Sequence, residues 1–242
     1  KQMPAEYGKE ALRAQAIIAR TFIYQKMNGE NEVKESELHM EYLEEKQMEA
    51  MWGSESFVTY FQAVEEAVRS TAGRVITCGG GLIEPLFHRA STGMTRSGDE
   101  SHPYLQAVAS KRDVEAEGYL TMMVWSKEEF AGRINQIAGS VPVDAGQLPQ
   151  SIQMIVRDDG GYVGQIQIGT KVYTGEEVQY ALGLPSPSYT LEEYDGGIRA
   201  VCQGVGHGYG LSQYGAKCMA EEGKTAEEIL DYFYKNIVLI SE

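Results

Sequence analysis

Residues 204–216 have the sequence Gly-Val-Gly-His-Gly-Tyr-Gly-Leu-Ser-Gln-Tyr-Gly-Ala, which places five glycines around a single histidine and leads into a helix-like stretch. Glycine lets the backbone approach a ligand closely and adopt positive φ. A loop of this kind that opens onto the start of a helix is typical of a binding site. The run therefore predicts that the functional site includes this loop.

Composition predicts a folded chain and argues against polyanionic partners. The 242 residues are 43% hydrophobic and carry a formal net charge of −14, and a chain of this length can bury one sizeable core or two modest ones. The negative charge repels a phosphate backbone, so no nucleic-acid partner is expected. Three cysteines, Cys78, Cys202 and Cys218, are too few for a disulfide framework.

The hydrophobic pattern predicts helices at both ends of the chain. Apolar residues at three- and four-residue spacing indicate an amphipathic helix over residues 10–27, a second near 42–51 and a third over 57–72. Thr225 and Glu228 form a capping box that opens the last helix.

The middle of the chain predicts strands. Short runs rich in β-branched and aromatic residues are separated by glycine and proline turns; they cover residues 74–78, 82–88, 119–125, 151–157, 162–169 and 198–203. Residues 158–161, Asp-Asp-Gly-Gly, indicate a hairpin. A capping box of Ser126 and Glu129 opens a short helix that we expect to end at Ala138.

These elements together predict an α+β fold, with a mostly antiparallel, sheet-rich middle and helices at both ends. We expect one domain over residues 1–242, divisible into two lobes: residues 1–73 with 206–242 are helical, and residues 74–205 are sheet-rich. The fold is expected to form an open substrate groove.

Three segments resemble the signatures of one family. Residues 3–4 and 10–21 are Met-Pro followed by EALRAQAIIART, similar to EMP…EALKAQAxAARTY. Residues 88–95 and 103–108, HRASTGMT and PYLQAV, resemble HSTSGGxT…PYLKSV. Residues 206–223 and 229–234, GHGYGLSQYGAKCMAEEG and ILDYFY, resemble GHGVGMSQYGAxxMAxxG…ILxHYY. By this resemblance, which spans nearly the whole chain in order, the chain is identified as a member of the stage II sporulation protein D family.

The resemblance implies a lytic transglycosylase that cuts peptidoglycan glycan strands already stripped of stem peptides. Protonation of the glycosidic oxygen and attack by the sugar's own 6-hydroxyl leave a 1,6-anhydromuramic end. The resemblance further implies a place outside the cytoplasmic membrane, at the sporulation septum and engulfing membrane. It implies an N-terminal membrane anchor missing from this sequence, and an amidase–endopeptidase and other engulfment proteins as partners. No cofactor is implied.

The resemblance also assigns site residues. The family's acid is the Glu of its EMP motif, and this chain has Gln2 there. Arg20 and Tyr104 match the other catalytic positions, and Gln106 stands where the family has Lys. Residues assigned to substrate binding are Ser91, Thr92, Gln106, His207, Ser212, Gln213 and Tyr214. We expect Gln2, Arg20, Tyr104 and His207 to line one groove.

Gln2 leaves two functions open. An amide cannot supply the catalytic proton, so cleavage would be weak or absent unless Glu6 or Glu10 substitutes. The alternative is a non-catalytic, peptidoglycan-binding enhancer of a cell-wall amidase, which the same family also includes. A serine hydrolase built on Ser212 and His207 is disfavoured, because no nucleophile elbow surrounds the serine.

Metal binding is not expected. Zinc ligand types occur at His39, Cys78, His88, Cys202 and His207, and Cys202 and His207 are close enough in sequence to pair. The chain has no CxxC or HExxH spacing, so zinc is only the weaker alternative to a site without metal.

Overall fold

A computed structural model describes residues 2–38 and 42–241, and it confirms the α+β fold. Its helices in this part of the chain are α1 (Lys9–Met27), α2 (Glu35–Leu38), α3 (Glu45–Ser70), α4 (Lys127–Ile134), α5 (Gly175–Leu182), α6 (Gln213–Glu221) and α7 (Ala226–Phe233). Its strands are β1 (Arg74–Cys78), β2 (Gly81–Leu82), β3 (Phe87–His88), β4 (Leu120–Trp125), β5 (Ile152–Arg157), β6 (Val163–Ile168), β7 (Lys171–Thr174), β8 (Tyr189–Tyr194), β9 (Gly197–Gln203), β10 (Leu211–Ser212) and β11 (Val238–Ser241).

The first compact unit comprises Lys1–Phe87, Gly98–Gln106 and Gln213–Glu242, and α1 lies at its centre. The helix begins one residue before the predicted start and ends as predicted, where Asn28 adopts the left-handed conformation that commonly terminates helices. Its buried face packs against α3, α6, α7 and β1 and includes Ala11, Leu12, Ala14, Ile17 and Ile18.

A small antiparallel sheet in the order β11-β1-β2 completes this unit. Thr21 joins α1 to the sheet, because its Oγ1 accepts a 3.0 Å hydrogen bond from Ile76 N. The predicted capping box of Thr225 and Glu228 is confirmed at the start of α7. The helix buries Ile229, Leu230 and Phe233.

The two helices predicted near 42–51 and over 57–72 are present as the two arms of α3, separated by a kink, and only their bounds differ from the prediction. One element, α3, covers Glu45–Ser70 and bends at Gly53, whose φ of 72° is not helical. Glycine tolerates this conformation without a Cβ clash, so the helix resumes beyond it. Across its whole length α3 fully buries only Ala67, which leaves much of its apolar surface uncovered.

The second compact unit comprises His88–Ser97 and Ala107–Ser212. Two three-stranded antiparallel sheets, β4-β9-β8 and β5-β6-β7, form it together with α4 and α5. The core of this unit is formed mainly by Trp125, Phe130, Ala131, Ile134, Val143, Leu148, Val163, Ile166, Ile168, Tyr173, Val178, Leu182, Leu184, Tyr189, Ile198, Ala200 and Cys202.

Several local predictions for this middle region are confirmed and others are corrected. The hairpin at 158–161 is present, with Gly161 N donating to Asp158 O at 2.9 Å. The predicted strand over 82–88 is divided into β2 and β3, with Pro85 in the gap, because proline cannot donate to a ladder. The helix opened by Ser126 ends at Ile134 rather than Ala138. Elements β7, α5, β8, β10 and β11 were not predicted.

Candidate functional site

Three glutamines meet in the first unit, and we call them the glutamine cluster: Gln2, Gln15 and Gln213. Gln15 Nε2 donates to Gln2 Oε1 at 3.2 Å, and Gln213 Nε2 donates to Gln2 O at 2.7 Å and to Gln15 Oε1 at 3.1 Å. Gln15 and Gln213 are buried. The cluster joins the Met-Pro segment, α1 and the start of α6, so two of the three motif segments meet at the position of the family's acid. Gln15 was not among the predicted site residues.

Gln2 also borders an apolar cavity of about 320 Å³ within the same unit. The described residues that line it are uncharged: Gln2, Met3, Leu12, Gln15, Ala16, Ala19, Tyr42, Leu43, Met48, Trp52, Val64, Ala67 and Val68. Polar side-chain groups of this lining include the amides of Gln2 and Gln15, the hydroxyl of Tyr42 and the indole N–H of Trp52. A carboxylic acid at position 2 would therefore have apolar surroundings, which favour its protonated form.

The two nearby carboxylates that could replace the acid are placed differently. Glu10 accepts hydrogen bonds from Arg13 Nη1 at 3.0 and 3.1 Å and from Ala226 N at 2.8 Å. It thus holds the start of α7 to α1. Glu6 is exposed on the short 3-10 turn Ala5–Tyr7. Neither carboxylate makes a hydrogen bond with Gln2.

Arg20 lies on α1, and its guanidinium donates to backbone carbonyls at the end of α3 and at the start of β1. Nη1 donates to Thr71 O at 2.6 Å and to Arg74 O at 3.1 Å, and Nη2 donates to Val68 O at 3.2 Å. Partial burial lowers the pKa of Arg20 from its usual value. The bonds to Val68 O and Thr71 O pair carbonyls that a helix end leaves without partners. The guanidinium therefore stabilises the fold at the end of α3.

Tyr104 is buried beside β2. Its hydroxyl accepts from Glu84 N at 3.0 Å and lies 3.3 Å from Glu84 O, and burial raises its pKa. Gln106 is exposed, and its Nε2 donates to Pro103 O at 3.4 Å.

His102, which was not predicted, lies between two carboxylates. Its Nδ1 is 2.8 Å from Asp99 Oδ1 and its Nε2 is 3.2 Å from Glu84 Oε2. The hydrogen bond to Asp99 is the main reason why the pKa of His102 is raised. The spacing of Asp99 and His102 by three residues was the available sequence signal.

A serine cluster around Asp113 organises the second unit. The fully buried carboxylate accepts from Ser91 N at 2.7 Å, Ser91 Oγ at 2.5 Å, Ser110 Oγ at 2.8 Å and Ser212 Oγ at 2.8 Å. Loss of solvation raises the pKa of Asp113, while these donors act in the opposite direction. Ser91 and Ser212 are fully buried, so their hydroxyls fix two motif segments to one carboxylate. No motif marked Asp113 in the sequence.

The glycine-rich loop packs too tightly for side chains at two positions. Gly206 has φ of 102°, and a Cβ there would lie 2.7 Å from His88 Cβ. Gly208 has φ of 85°, and its Cβ would lie 2.4 Å from Tyr162 Cζ. Both the backbone conformation and the close approach therefore require glycine.

Arg96 is buried and contacts the glycine-rich loop. Its backbone N donates to Gly208 O at 2.8 Å, and its guanidinium donates to Asp158 at 2.8 Å and to Glu176 at 2.7 Å. Its Cζ lies 4.5 Å from the centroid of the Tyr209 ring. The two carboxylates and the aromatic ring keep this arginine fixed under the loop.

His88 and His207 face each other in the second unit, with ring centroids 5.9 Å apart. His88 Nδ1 lies 3.0 Å from Tyr209 O, so the neutral ring carries its proton on Nδ1, and the buried Nε2 has no partner among the described residues. Burial, followed by the charge of His207, lowers the pKa of His88 to about 3. His207 Nδ1 accepts from Tyr209 N at 3.0 Å, which assigns its proton to Nε2. His88 is therefore neutral at physiological pH and cannot act as an acid.

The remaining predicted binding residues also have partners. Thr92 Oγ1 donates to Gly160 O at 2.6 Å. The Tyr214 ring lies edge-on to Tyr7, with Lys217 Nζ 4.9 Å from the Tyr214 ring centroid. The structure thus brings Gln2 and Gln213 together in one unit, and Ser91 and Ser212 in the other. A common groove for Gln2, Arg20, Tyr104 and His207 stays a prediction.

Zinc ligand types are dispersed. Cys202 Sγ lies 3.3 Å from Ser186 O, and burial raises the pKa of this thiol to about 11. Over residues 2–38 and 42–241, no three His, Cys, Asp or Glu side chains are grouped as a metal site. His39 lies outside the described residues.

Comparison with known proteins decides the family. A family profile described as Stage II sporulation protein matches residues 1–78. Stage II sporulation protein D of Bacillus amyloliquefaciens is 31% identical over 98% of this chain and 70% of the relative. The protein of the same name from Bacillus subtilis is 30% identical over 97% of this chain and 69% of the relative. The chain belongs to the stage II sporulation protein D family.

Membership in the stage II sporulation protein D family connects the chain to sporulation. A more distant relative, named Amidase enhancer, comes from Bacillus subtilis and is 24% identical over 99% of this chain and 39% of its own length. Within the described part of the chain, no helix combines the length and hydropathy that crossing a membrane requires.

Proposed function

We propose that the chain carries the glycan site of a lytic transglycosylase and that, with Gln at position 2, this site binds denuded peptidoglycan strands without cutting them. The glutamine cluster is the observation that carries the proposal. Two hydrogen bonds tie the family's acid position to α1 and to the start of α6, and a third joins Gln213 to Gln15. Position 2 is therefore held in place although its amide has no acidic proton to transfer.

The proposed chemistry explains why cleavage depends on whether residue 2 carries a carboxyl or an amide. Cleavage without water requires a proton on the glycosidic oxygen while the 6-hydroxyl of the same sugar attacks its anomeric carbon. A protonated carboxyl next to an apolar wall supplies that proton as the glycosidic bond breaks, and the resulting carboxylate accepts the proton that the 6-hydroxyl loses as its oxygen bonds to the anomeric carbon. An amide occupies the same space and makes the same hydrogen bonds, yet it transfers no proton. Glu10 already accepts hydrogen bonds from Arg13 Nη1 and Ala226 N, which argues against its acting as the general acid in place of residue 2.

A second candidate function is enhancement of a partner hydrolase. Two observations favour it: the amide at position 2 and the relative whose name is Amidase enhancer. In this role the chain would hold glycan strands for an amidase–endopeptidase at the sporulation septum, outside the cytoplasmic membrane. Addition of the chain would then raise the rate at which such an amidase releases stem peptides from sacculi.

Binding to two forms of sacculi tests the proposal. Sacculi treated with an amidase to remove stem peptides should retain more of the chain than intact sacculi. DNA-coated beads should retain none, because the net charge of −14 repels a polyanion. Equal retention on intact and stripped sacculi would contradict the proposed preference for denuded strands.

A further inference from the structure

Strand β4 of the second unit is an edge strand with an apolar outward face. It pairs with β9 and with no other strand in the described part of the chain. Leu120, Met122 and Val124 point outward and are 55%, 60% and 51% exposed, whereas Met123 and Trp125 contact the core of the unit. The strand contains no charged residue. Its outward face is therefore a continuous apolar row.

The hydrogen bonds beside β4 show which backbone groups face the open edge. Gly204 N donates to Tyr119 O at 2.8 Å, so the Tyr119 carbonyl faces β9. In an antiparallel ladder, the backbone groups of alternate residues face opposite sides of the strand. The N–H and C=O groups of Leu120, Met122 and Val124 therefore point to the open edge. The same three residues present both the exposed apolar side chains and the open backbone groups.

The other edge strands of the two three-stranded sheets carry features that hinder edge pairing. The register of β5 shifts between Met154 and Arg157, β8 carries Glu192 and Glu193, and β7 is four residues long and begins with Lys171. Bulges, charges and short length are the usual protection of edge strands. β4 is regular in its pairing with β9 and has neither charge nor proline, so its edge is suited to adding a strand.

A second copy of β4 complements this edge in one antiparallel register. With a two-fold axis at Met122, each Met122 lies opposite the Met122 of the second copy, and Leu120 lies opposite Val124. These are the residues whose backbone groups face the edge, so each open N–H and C=O group gains a partner. Each apolar side chain of the row also lies opposite another apolar side chain, which stabilises a sheet.

The charges that flank β4 favour the same antiparallel arrangement. Glu117 precedes the strand, with a side chain that is 93% exposed, and Lys127 follows the strand. Around the two-fold axis, Glu117 of one copy approaches Lys127 of the second copy, whereas parallel strands would bring Glu117 to Glu117. Glu128 lies one residue further from the axis than Lys127. Opposite charges across neighbouring strands are favourable and like charges are not.

We propose that β4 is a self-association edge, at which two copies of this chain pair antiparallel about a two-fold axis at Met122. The inference goes beyond the proposed function and does not rest on it. A contact one strand wide belongs among the small, transient interfaces, and the net charge of −14 opposes association at low salt. We expect a Kd of about 10–100 µM in about 0.3 M salt, where this repulsion is screened.

Sedimentation velocity of the chain between about 10 µM and about 1 mM in this salt tests the proposal. The parent should change from monomer to dimer over this range. Met122→Glu and Met122→Lys each place like charges opposite each other at the axis, so each should weaken association about tenfold or more. An equimolar mixture of the two variants should associate about as tightly as the parent, because Glu and Lys then face each other.

Val172→Glu is the matched control for the added charge. Val172 is 45% exposed on the edge strand β7 of the other sheet, and its replacement changes the net charge as Met122→Glu does. This variant should dimerise like the parent. Circular dichroism melting of each variant separates a lost contact from a damaged fold.

The outcomes are distinct. Dimerisation of the parent, its loss in each folded Met122 variant and its recovery in the mixture support the edge. A parent that stays monomeric at the highest concentration overturns self-pairing, and a strand of another protein would then be the occupant to seek. Dimerisation that persists in Met122→Glu places the contact elsewhere and overturns the proposal. Loss in the variants without recovery in the mixture overturns the two-fold axis at Met122.

Discussion

Ser212 Oγ donates a 2.8 Å hydrogen bond to Asp113 Oδ1, across 99 residues of sequence. Asp113 Oδ2 accepts from the backbone and side chain of Ser91. One buried carboxylate thus joins the end of the glycine-rich loop to the segment that follows His88. Ser91 and Ser212 were predicted to bind substrate. In the structure their buried hydroxyls donate hydrogen bonds to Asp113.

Replacing Asp113 with Asn should destabilise the chain. An amide nitrogen cannot accept the hydrogen bonds that Asp113 accepts, so at least one buried donor loses its partner, at a cost of about 1–3 kcal/mol. Urea unfolding followed by circular dichroism measures the change. Asp159→Asn is the control, because the exposed Asp159 side chain in the same unit makes no hydrogen bond to any described residue. Equal stability of Asp113→Asn and the parent chain would contradict the role given to the serine cluster.

His88 should make the fold sensitive to mild acid. Its pKa is about 3 in the folded chain and about 6.5 when unfolded, so the unfolded state binds the proton first as pH falls. The stability that His88 contributes is complete above pH 6.5 and is lost progressively between pH 6.5 and pH 3. From pH 7 to pH 5 the loss is about 2 kcal/mol.

The variant His88→Asn tests this pH dependence. Its amide nitrogen can still donate toward Tyr209 O but does not titrate. We expect the difference in unfolding free energy between pH 7 and pH 5 to shrink by about 2 kcal/mol relative to the parent. His102 and His207 remain in both proteins, so the comparison reports the titration of His88 together with its electrostatic coupling to His207. An identical pH dependence in parent and variant would show that His88 is not held neutral by burial.

Arg20 should prove important for stability. Arg20→Ala removes three hydrogen bonds to the carbonyls of Val68, Thr71 and Arg74, and we expect a loss of about 2 kcal/mol in unfolding free energy. Arg69→Ala should cost less than about 0.5 kcal/mol, because the Arg69 side chain is 77% exposed. If Arg20→Ala kept full stability and lost only glycan binding, Arg20 would belong to the glycan site instead.

Local signals in the sequence predicted local structure well. The capping boxes at Ser126 and Thr225 fix helix starts because their partners lie three residues away. The two helices predicted on either side of Gly53 meet at a kink there, but their bounds were less predictable, because a single glycine can either end a helix or be tolerated within it.

The site was only partly predictable. Family signatures pointed to Gln2 and Gln213, which do meet. Asp113 carried only a local signal, its three-residue spacing from Ser110, because its partners Ser91 and Ser212 lie 22 and 99 residues away. Its role depends on which segments the fold brings together, and residue spacing does not contain that information.

The amide at position 2 can be tested directly by restoring the acid with Gln2→Glu. The carboxyl can still accept from Gln15 Nε2, and the apolar cavity favours its protonated form. A positioned general acid is worth about 10²- to 10⁴-fold in rate. Gln2→Ala is the control that removes both the proton and the hydrogen-bonding group.

The decisive measurement is release of 1,6-anhydromuramyl products from denuded glycan strands by the parent chain, Gln2→Glu and Gln2→Ala, with binding to the same strands measured for each. We expect the parent and Gln2→Glu to bind alike, and only Gln2→Glu to release product at a rate about 10²-fold or more above background. Product release by the parent chain as fast as by Gln2→Glu would contradict the account and place the acid elsewhere.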